Sequence, residues 1–487
     1  MDFEMDLLNP NNPDTCKNNY HGFYKYDKIS RPASGKKGQK LLLSLAKNST
    51  SIINRSNRTQ PERIGGYRFL NNIRITEKSL IEGLQHQCKS NCEGLHIIGI
   101  QDTTEYNYKH HSKRLKSETI GVVGNNKDFG YFAHLMVTFD QATCLPQGIS
   151  YCQLWSRDPK RKQGREKIYK KLPIEEKESY RWIEAAEQTK SLLKSAKHIT
   201  LISDRESDIY QFWDRVPDDK TDLIIRARGD RPLFDQPSTI IELLDRQSTA
   251  GSYTIDVKGD LRTNRSKRKA LLNVRYAEAS VKRSKVLTRE HARQDYVSLI
   301  VVEVKEDPSS CKVGETPIHW LLLTSHAVND FEQACRIIDW YSFRWQIEQF
   351  FRLTKSQGLD LESSQLETGE GLRKLGILGF ASALKILQMT LARDGIVNDN
   401  VKKYFSKQEI VLITLLNDKL KGTTLKQQNP HPPNTLAWAA WVIARLGGYS
   451  GYKSQSPPGP LTYTWGLEKF NLIKEGYYIL DKDVYKE

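Results

Sequence analysis

The first part of the chain shows a helical and then a strand-like hydrophobic pattern. Residues 1 to 35 are rich in Asn, Asp, Lys and Pro and have little periodic apolar content, which predicts a poorly ordered segment. Residues 36 to 90 read as a small helical domain, with a break expected at Gly65 and Gly66. The apolar run LHIIGI then predicts a buried strand that delivers Asp102 at its carboxyl end.

Further strand-like runs follow this first strand. YFAHLMVTF and QGISYCQLW predict two strands, an amphipathic helix spans about 174 to 195, and HITLIS predicts a buried strand ending in Asp204. The pattern is then strand-rich from about 220 to 318, and the core resumes at HWLLLTS. This order predicts an α/β core over residues 91 to 365, interrupted by a β-rich insertion.

Beyond residue 365 the chain reads as almost wholly helical, which predicts a helical C-terminal region over residues 366 to 487. Its clearest element is NTLAWAAWVIARLGG, which ends at a Gly-Gly pair. Trp438 and Trp441 give this helix a large apolar face. We expect that face to be buried against a second subunit, and burial inside its own chain is the competing interpretation.

The segment YSFRWQIEQFFRLTK, residues 341 to 355, predicts one helix with a polar stripe. At about 100° per residue, Tyr341, Arg344, Glu348 and Lys355 lie within an arc of roughly 60°. A carboxylate among large apolar side chains is costly unless it is paired or bound to a cation. The alternative is a simple ion pair between Arg344 and Glu348 at i,i+4 spacing, which contributes a few tenths of a kcal/mol.

The composition favours a polyanionic partner. The chain has 74 Lys and Arg against 58 Asp and Glu, a formal charge of +16, which makes nucleic acid the leading candidate over a charge that serves only solubility. Seven cysteines lack the density of a disulfide framework, and His86, Cys88 and Cys92 lack a second zinc-finger pair. The acidic start and the lack of an apolar run of about 18 residues lead us to expect a cytoplasmic protein that is neither exported nor membrane-embedded.

Asp102, Asp204 and Glu348 are the most informative acids. Two follow predicted strands and the third faces inward from a helix, and an α/β sheet gathers functional groups at the carboxyl ends of its strands. Three oxygen donors suit Mg²⁺ or Mn²⁺, so a metal-dependent phosphodiester site is predicted. Taken singly, each aspartate fits a strand-end turn or a helix cap better.

Three motifs carry a resemblance to a known family: QDTT at 101 to 104, SDRESD at 203 to 208, and Tyr341, Arg344, Glu348 and Lys355 in Y-x2-R-x3-E-x6-K spacing. They are similar to the motifs of the DDE transposases of the insertion-sequence-four family. Other similar segments follow in the same order, namely GYRFLNN, EKESYRW, IIRARG, HWLLLTS and WVIARLGGY. The resemblance therefore runs from about residue 36 to about residue 475.

The resemblance implies a ribonuclease-H-like (retroviral-integrase-like) catalytic core with a β-rich insertion, an N-terminal helical domain that binds transposon ends, and a C-terminal helical region that dimerises. Asp102, Asp204 and Glu348 would hold two Mg²⁺ ions, with Mn²⁺ able to substitute. The implied reaction is cut-and-paste transposition of double-stranded DNA by a homodimer at the bacterial nucleoid. A freed 3′-OH makes a hairpin, water reopens it, and the 3′-OH then attacks target DNA.

The resemblance also implies contacts with DNA. Trp320 falls where this type of transposase stacks an extruded base, although a core tryptophan is the competing interpretation. The basic stretches 157 to 171 and 262 to 269 are expected either to lie against DNA or to be solvated loops. The predicted DNA-binding residues are Tyr341, Arg344, Lys355, Trp320, Arg226, Arg352, Lys267 and Arg268.

Two rival functions share these features. A DNA-binding inhibitor would occupy transposon ends without cutting, which the presence of all three acids disfavours. A metal-dependent nuclease of the same fold would cut without joining. The four-residue signature, Tyr341, Arg344, Glu348 and Lys355, disfavours this function. The first 35 residues depart from the family pattern, which puts the recognition of transposon ends in doubt.

Overall fold

Runs of apolar residues form the strands of one sheet, and periodic patterns form the helices around it. A computed structural model describes residues 53, 59–159, 172–257, 259, 266–284, 287, 292–396, 399–452 and 454–480. The strands are β1 His96–Asn107, β2 Gly130–Asp140, β3 Pro146–Trp155, β4 His198–Ser203, β5 Thr221–Arg226, β6 Gly251–Val257, β7 Arg268–Lys282, β8 Tyr296–Glu306 and β9 His319–Thr324. The α-helices are α1 Gln60–Leu70, α2 Glu77–Asn91, α3 Tyr180–Leu192, α4 Tyr210–Arg215, α5 Ile240–Asp245, α6 Phe331–Phe343, α7 Trp345–Lys355, α8 Gly369–Ala392, α9 Lys407–Leu420, α10 Leu436–Leu446 and α11 Pro460–Leu480.

Within these ranges the strands form a nine-stranded sheet in the order β3-β2-β1-β4-β5-β9-β8-β7-β6. Strands β1, β4 and β5 run parallel, while β2 and β3 are antiparallel additions on one side. Every residue of β2 is buried, and β4 is buried from its second residue onward. Strands covered on both faces require continuous apolar runs, which is the pattern that predicted them.

The β-rich segment extends the same sheet. Strand β9 pairs with β5 on one side and β8 on the other, and β7 pairs with both β8 and β6. The predicted start of the insertion near residue 220 needs correction, because β5 is a parallel strand of the core and the added strands begin after Arg226. In β6 half-buried and exposed residues alternate up to the buried Val257, as expected for a strand with one face in solvent.

Helix α8 is the central helix of the C-terminal region. It is long and apolar enough to cross a membrane by length and composition, which corrects the expectation that the chain lacks such a run, but 89% of its most apolar window is buried inside the fold, as in a core helix. It packs against α7, α10 and α11. Trp438 and Trp441 of α10 are only 3% and 6% exposed, so this helix is buried inside its own chain. The expectation that these two tryptophans form a subunit interface is therefore corrected.

The N-terminal helices differ from prediction at one point. Gly65 and Gly66 lie inside α1 and do not break it. A capping box between Thr59 and Glu62 starts the helix, and the buried Phe69 and Leu70 anchor its last turn. Several predicted segments lie outside the described residues: residues 1 to 35, residues 36 to 52 and 54 to 58 of the helical domain, most of the basic stretch 157 to 171, and residues 262 to 265 of the second basic stretch.

Candidate active site

The register of two parallel strands brings Asp102 and Asp204 to the same edge of the sheet. Ile100 of β1 pairs with Ile202 of β4, and each aspartate lies two residues further along the chain, Asp102 within β1 and Asp204 directly after β4. Because side chains alternate with a period of two, the side chains of both aspartates point toward the same face of the sheet. Strand β1 does not end at Asp102 as predicted. It continues to Asn107 because β2 pairs with it along its whole second half.

Asp204 begins a short 3₁₀ helix immediately after β4. Its Oδ1 accepts a hydrogen bond of 2.8 Å from the backbone N–H of Glu206. The helix-cap interpretation of this aspartate is therefore correct as far as one oxygen is concerned. A carboxylate has several acceptor positions, so the cap leaves Asp204 able to bind a further partner.

Glu348 reaches the site from α7. The predicted single helix over 341 to 355 is interrupted at Arg344, where i→i+3 hydrogen bonds join α6 to α7. The Arg344 guanidinium donates from Nη2 to Glu348 Oε1 at 2.6 Å and from Nη1 to Asp102 Oδ2 at 3.3 Å. The i,i+4 ion pair is thus present, and the same arginine also links the glutamate to the aspartate of β1.

The electrostatics of this edge favour a cation. Burial, followed by the negative charge of Asp204, raises the pKa of Asp102 to about 7, although Arg344 acts in the opposite direction. The raised pKa means that the ionised form of Asp102 is disfavoured, first by burial and then by the neighbouring negative charge. A hard divalent ion with oxygen ligands would remove that cost, so Asp102, Asp204 and Glu348 fit Mg²⁺ or Mn²⁺.

Three of the predicted DNA-binding residues meet beside the acids. The rings of Trp320 and Tyr341 pack edge-to-face with centroids 5.5 Å apart. Arg226, at the end of β5, donates to the carbonyl of His319 at 3.1 Å and contacts Tyr341. Trp320 is half-buried, so part of its surface faces outward at the same edge of the sheet as Asp204.

The remaining predicted contacts are distributed differently. The Lys355 ammonium lies 5.5 Å from the ring centroid of Tyr106, on the far part of β1, and Arg352 is exposed on the same helix. Lys267 is exposed. Arg268 is not available for a phosphate, because its side chain is 5% exposed and pairs with Glu306 at 2.8 Å and with a second carboxylate. This internal ion pair corrects the expectation that Arg268 contacts DNA.

Arg181 of α3 is a residue that the sequence interpretation missed. Its Nε donates to Thr103 Oγ1 at 2.9 Å, and its Nη2 donates to Glu206 Oε2 at 2.7 Å. It therefore connects the residues next to Asp102 and Asp204 and helps fix their separation. The arginine lies in the EKESYRW segment, whose similarity to the family was its only signal in the sequence.

Comparison with known families agrees with this geometry. Residues 181–384 match the family model described as Transposase DDE domain. The match is shorter than half of the chain and includes Asp204 and Glu348, while Asp102 lies before it. A Transposase DDE domain implies a ribonuclease-H-like fold, a DNA substrate and divalent metal ions. The match therefore supports a DDE transposase, a nucleic-acid-processing enzyme.

Proposed function

We propose that this chain is a cut-and-paste DNA transposase of the insertion-sequence-four family, similar to the Tn-five transposase. The observation that carries the proposal is the convergence of three carboxylates: Asp204 acts electrostatically on Asp102 at one edge of the sheet, and Arg344 links Asp102 to Glu348 of α7. The four-residue signature and the match to a transposase domain support the same conclusion. We propose the bacterial cytoplasm as its location.

Arg344 has two partners whose charge a bound cation would neutralise. In the structure it balances Asp102 and Glu348. With Mg²⁺ held by the three acids, this guanidinium would be free to turn toward a phosphate, for which its planar, bidentate geometry is suited. The position of Arg344 between Asp102 and Glu348 therefore fits both the observed ion pairs and the proposed contact with a phosphate.

The residues around the acids have separate tasks in the proposed reaction. Two Mg²⁺ ions, when bound, supply activation of the attacking oxygen and balance the charge of the phosphate during in-line displacement. Tyr341, Arg344 and Arg226 orient the phosphate, and Lys355 contacts the strand further along the groove. Trp320 stacks on an extruded base, which stabilises a tightly bent hairpin end.

Each chemical step breaks one phosphodiester bond, either by hydrolysis, which leaves a 3′-OH and a 5′-phosphate, or by transfer of the phosphate to a 3′-OH, which releases the former 3′ oxygen as a hydroxyl. Water first cleaves one strand and leaves a 3′-OH. That hydroxyl attacks the opposite strand and forms a hairpin, with departure of the flanking strand. A second water reopens the hairpin, and the 3′-OH then attacks a target phosphodiester. We propose that a homodimer holds the two transposon ends. Helix α10 is buried inside its own chain, so a different surface would form the subunit interface.

The test is an end-cleavage assay. A duplex carrying the inverted repeat that flanks the gene is incubated with the protein and Mg²⁺, and products are resolved as nicked, hairpin and blunt ends on a denaturing gel. Glu348→Ala should abolish cleavage yet leave end binding largely intact, because DNA affinity rests mainly on cationic contacts. Cleavage at the wild-type rate by this variant would disprove the assignment.

A matched control is available on the preceding helix. Glu332 forms an i,i+4 pair with Arg336, with side chains 87% and 53% exposed, so Glu332→Ala removes a similar pair away from the acids and should cleave normally. Adding a supercoiled target plasmid separates the rival functions. A nuclease would give cut ends without joined products, and an inhibitor would give a shifted band without cuts.

A further inference from the structure

A cluster of histidines lies at the other end of the parallel strands. Asp204 follows the carboxyl end of β4, whereas His198 begins that strand, six residues earlier and about 20 Å away at 3.3 Å per residue. Asp222 is the second residue of β5, and His326 follows β9, which runs antiparallel to β5. Three chain segments therefore converge on an edge that the proposed reaction does not use.

We propose that His198, Asp222 and His326 form a second metal site, for a borderline cation of the Zn²⁺ class, separate from the catalytic acids. The ligand atoms of these three residues all lie within 4.8 Å of one another. Asp222 Oδ2 is 2.9 Å from His198 Nε2 and 3.2 Å from His326 Nδ1. Metal bonds of about 2.0 Å in a tetrahedron place ligands about 3.3 Å apart, so small side-chain movements suffice.

The surrounding hydrogen bonds orient the ligands as a metal site requires. Ser325 Oγ donates to Asp222 Oδ1 at 2.7 Å, which leaves Oδ2 for the cation. Thr200 Oγ1 lies 2.9 Å from His326 Nε2 and 2.9 Å from His96 Nε2. With a cation between Asp222 and His326, the His326 Nε2–H can donate to Thr200 and the Thr200 hydroxyl can donate to His96, which leaves the lone pair of His326 Nδ1 for the metal. Such partners fix the tautomer of metal-binding histidines.

The donor set also indicates which class of cation the site would hold. Neutral imidazole binds Zn²⁺ well, whereas Mg²⁺ prefers oxygen ligands. The side chains of His198, Asp222 and His326 are 14–26% exposed, so a water molecule can complete the coordination.

The site would connect the sheet to helix α6, which carries Tyr341. Trp340 of α6 packs its ring 5.5 Å from His96 and 5.2 Å from His326, centroid to centroid. The next residue is Tyr341, which faces the catalytic edge. A cation that fastens β4, β5 and the segment after β9 would stabilise the base on which α6 rests.

The test measures zinc content and thermal stability of the full chain. Protein is dialysed against Zn²⁺ in a large excess of Mg²⁺, which competes for the three acids, and then against zinc-free Mg²⁺ buffer before mass-spectrometric metal analysis. The wild type should retain one more equivalent of zinc than the double variant His198→Gln, His326→Gln. Zn²⁺ should also raise the Tm of the wild type by about a few °C and leave that of the double variant unchanged.

His110→Gln is the matched control, because it removes an exposed imidazole that lies outside the cluster and its hydrogen bonds, and it should retain the zinc. Co²⁺ gives a second readout, since ligation by two imidazoles produces a visible absorption band. If the double variant fails to fold, Asp222→Asn and the Co²⁺ spectrum of the wild type decide the question. Equal zinc in wild type and variant, or no band with Co²⁺, would show that the cluster is only a hydrogen-bonded ion pair.

Discussion

The two ends of the parallel strands carry opposite chemistry on one scaffold. The carboxyl end presents Asp102 and Asp204 together with Glu348 and Arg344, a set of oxygen donors and charges. The amino end presents His198 and its neighbours, a set dominated by imidazoles. Hard cations such as Mg²⁺ select the first type of site and borderline cations select the second. One sheet therefore separates two ligand classes by about 20 Å through strand direction alone.

Each end of the parallel strands has one tryptophan beside it, Trp320 in β9 and Trp340 in α6. Trp320 contacts Tyr341 at the catalytic edge, and Trp340 contacts His96 and His326 at the opposite edge. Both are half-buried. Their positions allow a matched comparison in which the same residue type is removed on each side.

The largest expected effect is on hairpin formation. Trp320→Ala should still nick the DNA end, since the three acids are untouched, but should form or resolve hairpins about tenfold more slowly or worse, because the absence of base stacking removes roughly 1–3 kcal/mol. Trp340→Ala should lower the Tm instead. The measurement is a time course of nicked, hairpin and blunt ends, and normal hairpin kinetics in Trp320→Ala would remove the stacking role.

The two edges should also make opposite contributions to the pH dependence of the free energy of unfolding. The folded-state pKa of Asp102 is raised to about 7 from 3.8, so between these values the native state holds more protons than the unfolded state and stability falls as pH rises. The pKa of His96 is lowered to about 4 from 6.5, so stability rises with pH in that window. Urea unfolding of metal-free protein at several values between about pH 4.5 and 7 provides the test.

Two variants test which residue produces each slope of stability against pH. Asp102→Asn should make the stability increase more steeply with pH than in the wild type, because the opposing contribution is gone. His96→Gln should make the slope less positive. Identical slopes in the wild type and both variants would contradict the electrostatic contrast between the edges.

The smallest expected effect concerns the basic stretch 262 to 269. Lys267 and Lys269 are exposed, and neutralising a lysine that binds a phosphate should reduce the salt slope of DNA binding by about one, so the double Gln variant should lower it by up to about two. Arg268→Gln should instead lower the Tm, because it leaves Glu306 buried without its partner. An unchanged salt slope of DNA binding in the lysine variant would indicate that these lysines only face solvent.

Local patterns predicted the elements well, because parallel strands covered on both faces need continuous apolar runs such as HITLIS. The same patterns could not reveal the end of β1, since its pairing with β2 is non-local. Nor could they show that α10 is covered by its own chain, because an apolar face looks the same whichever surface covers it.

The candidate site was predictable in part for a related reason. Strand ends and a helical spacing indicated Asp102, Asp204 and Glu348, and the resemblance supplied their roles. The ion pairs of Arg268 and the hydrogen bonds of Arg181 depend on partners far away in sequence. His198, Asp222 and His326 have no motif spacing, because only the sheet register brings them together.

The most direct test of the central claim exchanges one oxygen ligand for sulfur. Asp102→Cys should lose end cleavage in Mg²⁺, which binds thiolate poorly, and regain part of it in Mn²⁺, which accepts softer ligands. The matched control is wild-type protein in each ion, read on the same denaturing gel. Restoration by Mn²⁺ would identify Asp102 as a metal ligand. Full cleavage by Asp102→Cys in Mg²⁺ would contradict the account.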